Sequence, residues 1–545
     1  MRNQLYHICH LMLVAGLAFC LVGCQDKEWD DHYGMGENTS SQNLMEILES
    51  HPQYSQFCQV LKENHLDTLL SADQTFTIWA PTNDAMSSCQ QDGNAIDQFL
   101  KNHICRYVYN GADLTDTTLI RVKMLNGKFQ NYERTANGYT FADIPVASNE
   151  MAASNGLVHE LQAVAPFYQN LYEYIQKDGN ETDSLATYLK SFDTYEFDKA
   201  NSTSIGKNQL GQLVYDSVFT YSSKWMKRYG DLYLEDSLYT MQVPTNSGWK
   251  KGLAKTSSYF RTFGNLVTSS VNAINVPTRT YELAGFLADS LSLAYTKENM
   301  AANLVFSGLV NPNNAPGDSL VATSGVSYHH PANLFAGAVK ETMSNGELWR
   351  TDEWNYQPGD CFFKKIEVEA ENAVNRYNAY STVLSRSSAS TIYRDSVSEQ
   401  KYIEVTPTTT NARTQPTVQF TIPNVLAATY DIYCVFVPAE AYSEDIEADS
   451  TKVRFFLNYV HEDGTMKEDA AIVGGTTHEK AMTKMYVGRK TFPFANFSKS
   501  VFFGKEKQDA DCVRLRVQAN VSAKETVNFS RTMRIDKIIF EPVIE

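Results

Sequence analysis

Residues able to do chemistry are common in this sequence of 545 residues, but few stand in a pattern that does any. His478-Glu479 opens as a zinc-protease helix does, yet the second histidine one turn on is missing. There is no Gly-x-Ser-x-Gly elbow and no Walker loop, and the Gly34-Met35-Gly36 triplet follows no strand pattern. His329-His330 has no Asp, Glu or Cys cluster beside it and reads as a loop rather than a metal site. Cys58, Cys89, Cys105, Cys361, Cys434 and Cys512 stand singly, without a CxxC pair, which signals neither zinc nor a redox couple. They read as isolated buried thiols; disulfides within the first domain or between Cys434 and Cys512 stay open for an exported chain. Two facing carboxylates would suffice for glycoside hydrolysis, but sequence does not show which of 63 acidic residues meet. No catalytic residue is assigned, and the expectation is a protein that binds rather than converts.

The ends and the charge narrow the partners. Arg2 followed by the apolar run LMLVAGLAFCLVG, Leu11 to Gly23, too short to span a bilayer comfortably, makes residues 1–23 a signal peptide. Its end, Leu21-Val22-Gly23-Cys24, resembles the bacterial lipobox, which implies that Cys24 carries lipid in the mature chain. Each buried acyl methylene holds by about 0.8 kcal/mol, so several chains make a durable membrane anchor. Residues 24–42 are polar and acidic, the composition of a flexible tether. Acidic residues directly behind the cysteine also resemble the signal that sends some lipoproteins to the outer face of the outer membrane. Loss of Arg2 takes the net charge from −16 to about −17, which speaks against nucleic acid, whose phosphates need Lys and Arg.

The elements that must position any binding residue are written twice. TFTIWAPTNDAM (Thr75 to Met86) and LYTMQVPTNSGW (Leu238 to Trp249) each alternate apolar and polar residues, stop at a proline, and continue with helix-capping types. Downstream, SNGLVHELQAVAPF (Ser154 to Phe167) and SNGELWRTDEWNYQP (Ser344 to Pro358) each place an Asn-Gly turn before an apolar run ending in proline. The shared order makes a repeated domain. The second copy spans 100 positions from Pro244 to Ser344 where the first spans 73 from Pro81 to Ser154, an insertion placed within Lys255 to Thr280.

FTIWAPTNDAM, FLKNHI, LNGK and IPVASNEMAASNGLVHEL, in that order, resemble a fasciclin (FAS1) domain over residues 43–169. Residues 170–361 read as a diverged second copy. The resemblance implies α+β folds and adhesive rather than catalytic work. Where many such domains have Tyr-His this chain has Asn102-His103, and its closing strand reads Val158-His159-Glu160; both histidines read as structural.

From Phe362 the texture becomes alternating strands separated by turns. TVQFTIPNV, TYDIYCVFV, KVRFFLNYV and CVRLRVQANV suggest an all-β sandwich over residues 362–545, and Arg514, Arg516 and Gln518 share one strand face. KIEVEAENAV at its start and MRIDKIIFEPV at its end resemble the terminal strands of galactose-binding-like jelly rolls, which include carbohydrate-binding modules. By that resemblance Glu369, Glu371 and Asp536 are candidates for a structural calcium; the plainer reading is a solvated strand face carrying Glu367, Glu369 and Glu371. All six tryptophans precede the sandwich, so Tyr377, Tyr380, Tyr393 and Tyr442, in its loops, are the candidate sugar platforms, though they are as well suited to sheet edges.

The expected fold is therefore multidomain: two fasciclin-like α+β domains, the second diverged, then a jelly-roll sandwich. The expected function is a non-enzymatic, lipid-anchored outer-membrane protein facing the exterior, capturing glycan or a partner beside an outer-membrane transporter. The alternative is cell or matrix adhesion through fasciclin contacts. No cofactor beyond calcium is expected.

Overall fold

A computed structural model describes residues 40–87, 94–114, 119–147, 150–177, 179, 181–207, 212–216, 218–264, 266–268, 274, 279–281, 285–374, 376–443, 446–496 and 513–544. The assigned signal peptide, Cys24, most of the tether, Cys89 and Cys512 lie outside the described residues. Two compact units emerge: Met1–Tyr174 with Leu232–Leu238 and Thr342–Gly346, and Ile175–Asp231 with Tyr239–Glu341 and Glu347–Glu545. Among the described residues no helix is long and apolar enough to cross a membrane.

In the first unit, helices α1 (Leu44–Ser50), α2 (Ser55–Glu63) and α3 (Asp67–Leu70) precede strand β1 (Phe76–Pro81). Asn43 and Glu46 close a capping box at α1, and the buried faces of α1 and α2 place Leu44, Leu48, Phe57 and Leu61 in one core. Pro81 ends β1 and Thr82 caps α4 (Asn83–Met86), accepting from the Ala85 amide. Then come α5 (Asn94–Lys101), β2 (Ile104–Arg106), β3 (Leu119–Lys123), β4 (Phe129–Thr135), β5 (Gly138–Phe141), β6 (Ile144–Pro145), β7 (Met151–Ala153) and β8 (Gly156–Leu161). The main sheet runs β2-β1-β8-β7, with β1 and β8 parallel from Phe76 opposite Gly156 to Pro81 opposite Leu161. Gly156 sits at φ 155°, where a Cβ would stand 1.9 Å from the Phe76 carbonyl oxygen, so no other residue fits there. The sheet β3-β4-β5-β6 covers a second core around Trp79, which stacks on Phe141 at 4.1 Å.

The Asn of each Asn-Gly turn does more than turn the chain. Buried Asn155 accepts from the Leu44 amide (2.8 Å) and donates to the carbonyls of Leu70 (2.9 Å) and Ala72 (2.7 Å). Asn345, in the same unit, accepts from the Leu171 amide (3.0 Å) and donates to Leu232 (2.6 Å) and Leu234 (3.1 Å). Nearby, the buried Lys128 ammonium bonds to Glu173 and Glu235, each at 2.8 Å, and to the Ser344 hydroxyl at 3.2 Å.

Next along the chain are α6 (Leu171–Gln176), α7 (Asp183–Lys190), β9 (Asp193–Phe197), β10 (Thr203–Lys207), β11 (Leu213–Asp216), β12 (Phe219–Ser223) and α8 (Lys224–Tyr229). Here β9 pairs antiparallel with β12 and β10 with β11. They continue with β13 (Tyr239–Pro244), α9 (Asn246–Thr256), β14 (Leu266–Thr268), β15 (Arg279–Tyr281), α10 (Gly285–Ala301), β16 (Val305–Ser307), β17 (Ser319–Val321), β18 (Ser327–His329), α11 (Pro331–Leu334), β19 (Val339–Met343), β20 (Gly346–Thr351) and α12 (Pro358–Cys361). The order β16-β13-β20-β19 reproduces β2-β1-β8-β7. The local devices recur too: Thr245 caps α9 as Thr82 caps α4, and Asn246 accepts from the Ser184 amide as Asn83 accepts from that of Gln56.

The sandwich comprises β21 (Ile366–Glu369), β22 (Arg376–Ala379), β23 (Ser381–Ser387), β24 (Lys401–Pro407), β25 (Thr417–Thr421), β26 (Thr429–Phe436), β27 (Lys452–Val460), β28 (Met466–Glu468), β29 (Ile472–Thr476), β30 (Thr483–Thr491), β31 (Val513–Ala519) and β32 (Met533–Pro542). One sheet runs β23-β24-β32-β26-β30 with β21 on β32; the other runs β22-β25-β31-β27-β28 with β29 on β27. Their facing sides share one apolar core. The expected break between residues 361 and 362 is not a break in packing. Phe260, Tyr295 and Phe363 enter the sandwich core, because the turn after α9 and the helix α10 present aromatic rings to it.

Candidate functional site

Alternation in the second sheet sends Val418, Phe420, Leu515, Val517, Phe455 and Leu457 into the core, and their neighbours to the opposite face. Register aligns four of those neighbours in a row: Tyr377 opposite Gln419, Gln419 opposite Arg516, Arg516 opposite Phe456. Two aromatic rings thus flank an amide and a guanidinium. Gln419 is 0% exposed, and neither its Oε1 nor its Nε2 has a hydrogen-bond partner among the described residues. Arg516 is held by a two-point bond to Glu468 (3.1 and 2.7 Å) and lies 3.4 Å over the Phe456 ring. The next row is Thr417, Gln518 and Arg454, linked by Gln518 to Thr417 (2.8 Å) and Arg454 to Gln518 (2.7 Å). Asn458, in the row beyond, has a buried Oδ1 without a partner among the described residues. A buried amide with nothing to bond is costly.

Of the carboxylates predicted from the terminal strands, Asp536 and Glu369 meet at Ser398. Asp536 on β32 is 1% exposed, accepts from the Ser398 amide (3.1 Å), and is pushed up to about 7 by burial and by Glu369 beside it. Glu369 accepts from the Ser398 hydroxyl (2.9 Å), but its Oε2 is buried without a hydrogen bond among the described residues, as are both oxygens of Glu371. Burial and the charges of Glu369 and Glu399 raise Glu371 as well. The solvated strand face is therefore corrected: β21 ends at Glu369, Glu367 pairs with Lys365 and Lys537, and Glu369 and Glu371 are half-buried with carboxylate oxygens shut off from water. The oxygen donors suit a hard divalent cation, although among the described residues no three such side chains stand close enough together to hold one without moving.

The four tyrosines are not brought together as one platform. Tyr377 belongs to the polar row and Tyr380 is exposed just after it. Tyr393 is corrected from loop platform to packing residue: it is 7% exposed, clustered with Val397 and Tyr402, and its hydroxyl donates to the Lys480 carbonyl (2.7 Å). Tyr442 is half exposed with Arg386 4.6 Å over its ring. Gln419, Phe456 and Asn458 escaped the sequence reading, though the alternation that set Arg514, Arg516 and Gln518 on one face pointed there.

His103 and His159 are structural. His103 Nδ1 donates to the Phe99 carbonyl (2.9 Å), Nε2 accepts from the Ala165 amide (2.9 Å), and burial pushes the ring down to about 4. His159 donates from Nε2 to the Tyr109 carbonyl (2.8 Å) and stacks on Trp79. Exposed His330 pairs with Asp318, as a loop residue would. Cys58, Cys105, Cys361 and Cys434 are free and buried.

Comparison with known proteins adds three findings. The transforming growth factor-beta-induced protein ig-h3 of Oryctolagus cuniculus is 25% identical over 132 residues, 23% of this chain and 19% of that protein, so the chain spans about a fifth of the relative's length. Among solved structures, the FAS1 domain pair of the insect cell adhesion molecule fasciclin I covers 56% of this chain and 98% of its own at 15% identity and a TM-score of 0.20. The C-terminal family 22 carbohydrate binding module of Clostridium thermocellum Xyn10B covers 32% of this chain and 92% of its own at 18% identity and a TM-score of 0.20. The family model for the fasciclin domain matches residues 52–165, the stretch that holds α2 and runs through the strand carrying His159.

Proposed function

We propose that the sandwich is a non-catalytic glycan-binding module whose ligand lies along the row Tyr377, Gln419, Arg516 and Phe456. The observation that carries this is Gln419, fully buried with both amide atoms unpartnered among the described residues and set between Tyr377 and Arg516. Sugars present this combination in reverse: hydroxyls for an amide and a guanidinium, and apolar ring faces for aromatic rings. A divalent cation such as calcium would have to draw Glu369, Glu371 and Asp536 together, and in doing so would tie β21 to β32. The strand order β16-β13-β20-β19 supports a second, diverged fasciclin domain. The lipobox-like Cys24 and acidic tether support display on the outer membrane, and glycan capture beside an outer-membrane transporter is the specific form of the proposal. Affinity electrophoresis of the whole chain in gels containing soluble xylan, glucan, mannan or pectin tests it. One glycan retards the wild-type chain, and Gln419→Leu with Tyr377→Ala abolishes the retardation without lowering Tm; retardation by none, or unchanged in the variant, refutes it.

Adhesion is the second reading, favoured by the fasciclin match at residues 52–165. In that case the chain binds protein partners while every glycan fails.

A further inference from the structure

The row of Arg454 opens at one end into a cavity of about 530 Å³ lined by Arg413, Gln415, Lys452, Arg454, Gly474, Gly475, Asn520, Ser522 and Glu525, among others. It forms where β27 begins, β31 ends and β29 pairs alongside, so the cavity and the proposed glycan face share Arg454. Its charge differs from that of the protein. In a chain of net charge −16 the ionisable lining is three cations and one carboxylate. The carboxylate is already used: Glu525 accepts from Lys452 (2.6 Å) and from the Ser522 amide and hydroxyl (2.8 and 2.6 Å), which push it down to about 2. Lys452 and Glu525 are thus a closed pair. Neither Arg413 nor Arg454 has an ion-pair partner among the described residues. Arg454 spends its Nε on Gln518, and burial together with the Arg516 charge makes its own charge costly. Gln415 adds a buried Oε1 with no partner among the described residues, suited to accept from a hydroxyl.

Resting on the glycan-binding reading, we propose that this cavity binds a carboxylate-bearing sugar, so that the module's ligand is an acidic polysaccharide whose uronate is gripped by Arg413 and Arg454. A carboxylate matches the guanidinium fork, and a sugar hydroxyl satisfies Gln415.

Matched oligosaccharides test it by calorimetry on the whole chain: a 4-O-methylglucuronate-bearing xylo-oligosaccharide against its carboxyl-reduced form, and tetragalacturonate against its methyl ester. At least one acid binds tenfold or more tightly than its neutral form, the difference shrinks in 0.5 M salt, and Arg413→Gln, at an exposed position outside the glycan row, erases it while leaving neutral binding intact. Equal affinity of acid and neutral forms overturns the acidic-ligand inference and leaves the glycan face standing. Failure of all four sugars overturns both. Arg454→Gln, on the shared row, weakens the acid more than its neutral form.

Discussion

Asp536 gives the sharpest test of the carboxylate cluster. Its folded-state value of about 7 lies above the ordinary 3.8, so the folded sandwich holds a proton there that the unfolded chain releases. Stability from this group is complete below pH 3.8 and is lost as pH rises through 7. At 1.36 kcal/mol per unit, the three-unit shift costs about 4 kcal/mol overall, and about 3 kcal/mol of that falls between pH 4.5 and 8. The second unit has roughly 360 residues, so at about 2.1 cal/mol/K per residue this lowers its calorimetric midpoint by about 4 °C. Asp536→Asn, which keeps the acceptor for Ser398, should remove that difference in EDTA. A cation that favours the ionised carboxylates reverses the trend: calcium at a hundred times its dissociation constant returns about 2.7 kcal/mol at pH 8. Scanning calorimetry of wild type and Asp536→Asn at both pH values, with EDTA or calcium, reads all of this. A wild-type profile identical to that of the variant, with no calcium response, would refute a shared dry site.

The first unit should respond to pH in the opposite sense. His103 is pushed down from 6.5 to about 4, so its contribution is present above pH 6.5 and about 3 kcal/mol is lost as pH falls through 4; His103→Leu should flatten that acid limb in urea titrations followed by amide exchange in β1. Lys128→Met leaves Glu173 and Glu235 without their cation and should cost about 3 kcal/mol, the low end for a broken buried pair because Glu173 is partly exposed, read as loss of exchange protection in the first unit. Asn155→Ala and Asn345→Ala each delete three hydrogen bonds and should each cost about 3 kcal/mol, measurable as lower urea midpoints.

Those paired asparagines show what a sequence reveals. Local signals are short-range: a proline that stops a strand, a threonine that caps the next turn and an alternation that turns apolar residues inward are all decided within a few positions, and each was legible. What Asn155 does depends on Leu44, 111 positions away, and on Leu70 and Ala72, so its doubling was visible but its work was not. Distance of that kind also hid the merging of the region around α9 and α10 with the sandwich, which rests on Phe260 and Tyr295 reaching a core built from strands 70 residues or more further along the chain.

The candidate site divides along the same line. Asp536, Glu369 and Glu371 were named together because a resemblance supplied the long-range pairing of β21 with β32 that composition does not carry. Tyr393 was misplaced because an aromatic in a loop looks the same in sequence whether it faces solvent or packs. Gln419 was overlooked for a physical reason: one glutamine in an apolar strand gives no signal until register sets it between Tyr377 and Arg516, with its amide cut off from water. An unpaired buried amide is a stability cost that folding alone does not explain. In the proposed function a ligand hydroxyl would repay that cost at Gln419, which is why the proposal sits on the polar face of the sandwich rather than among its more conspicuous tyrosines.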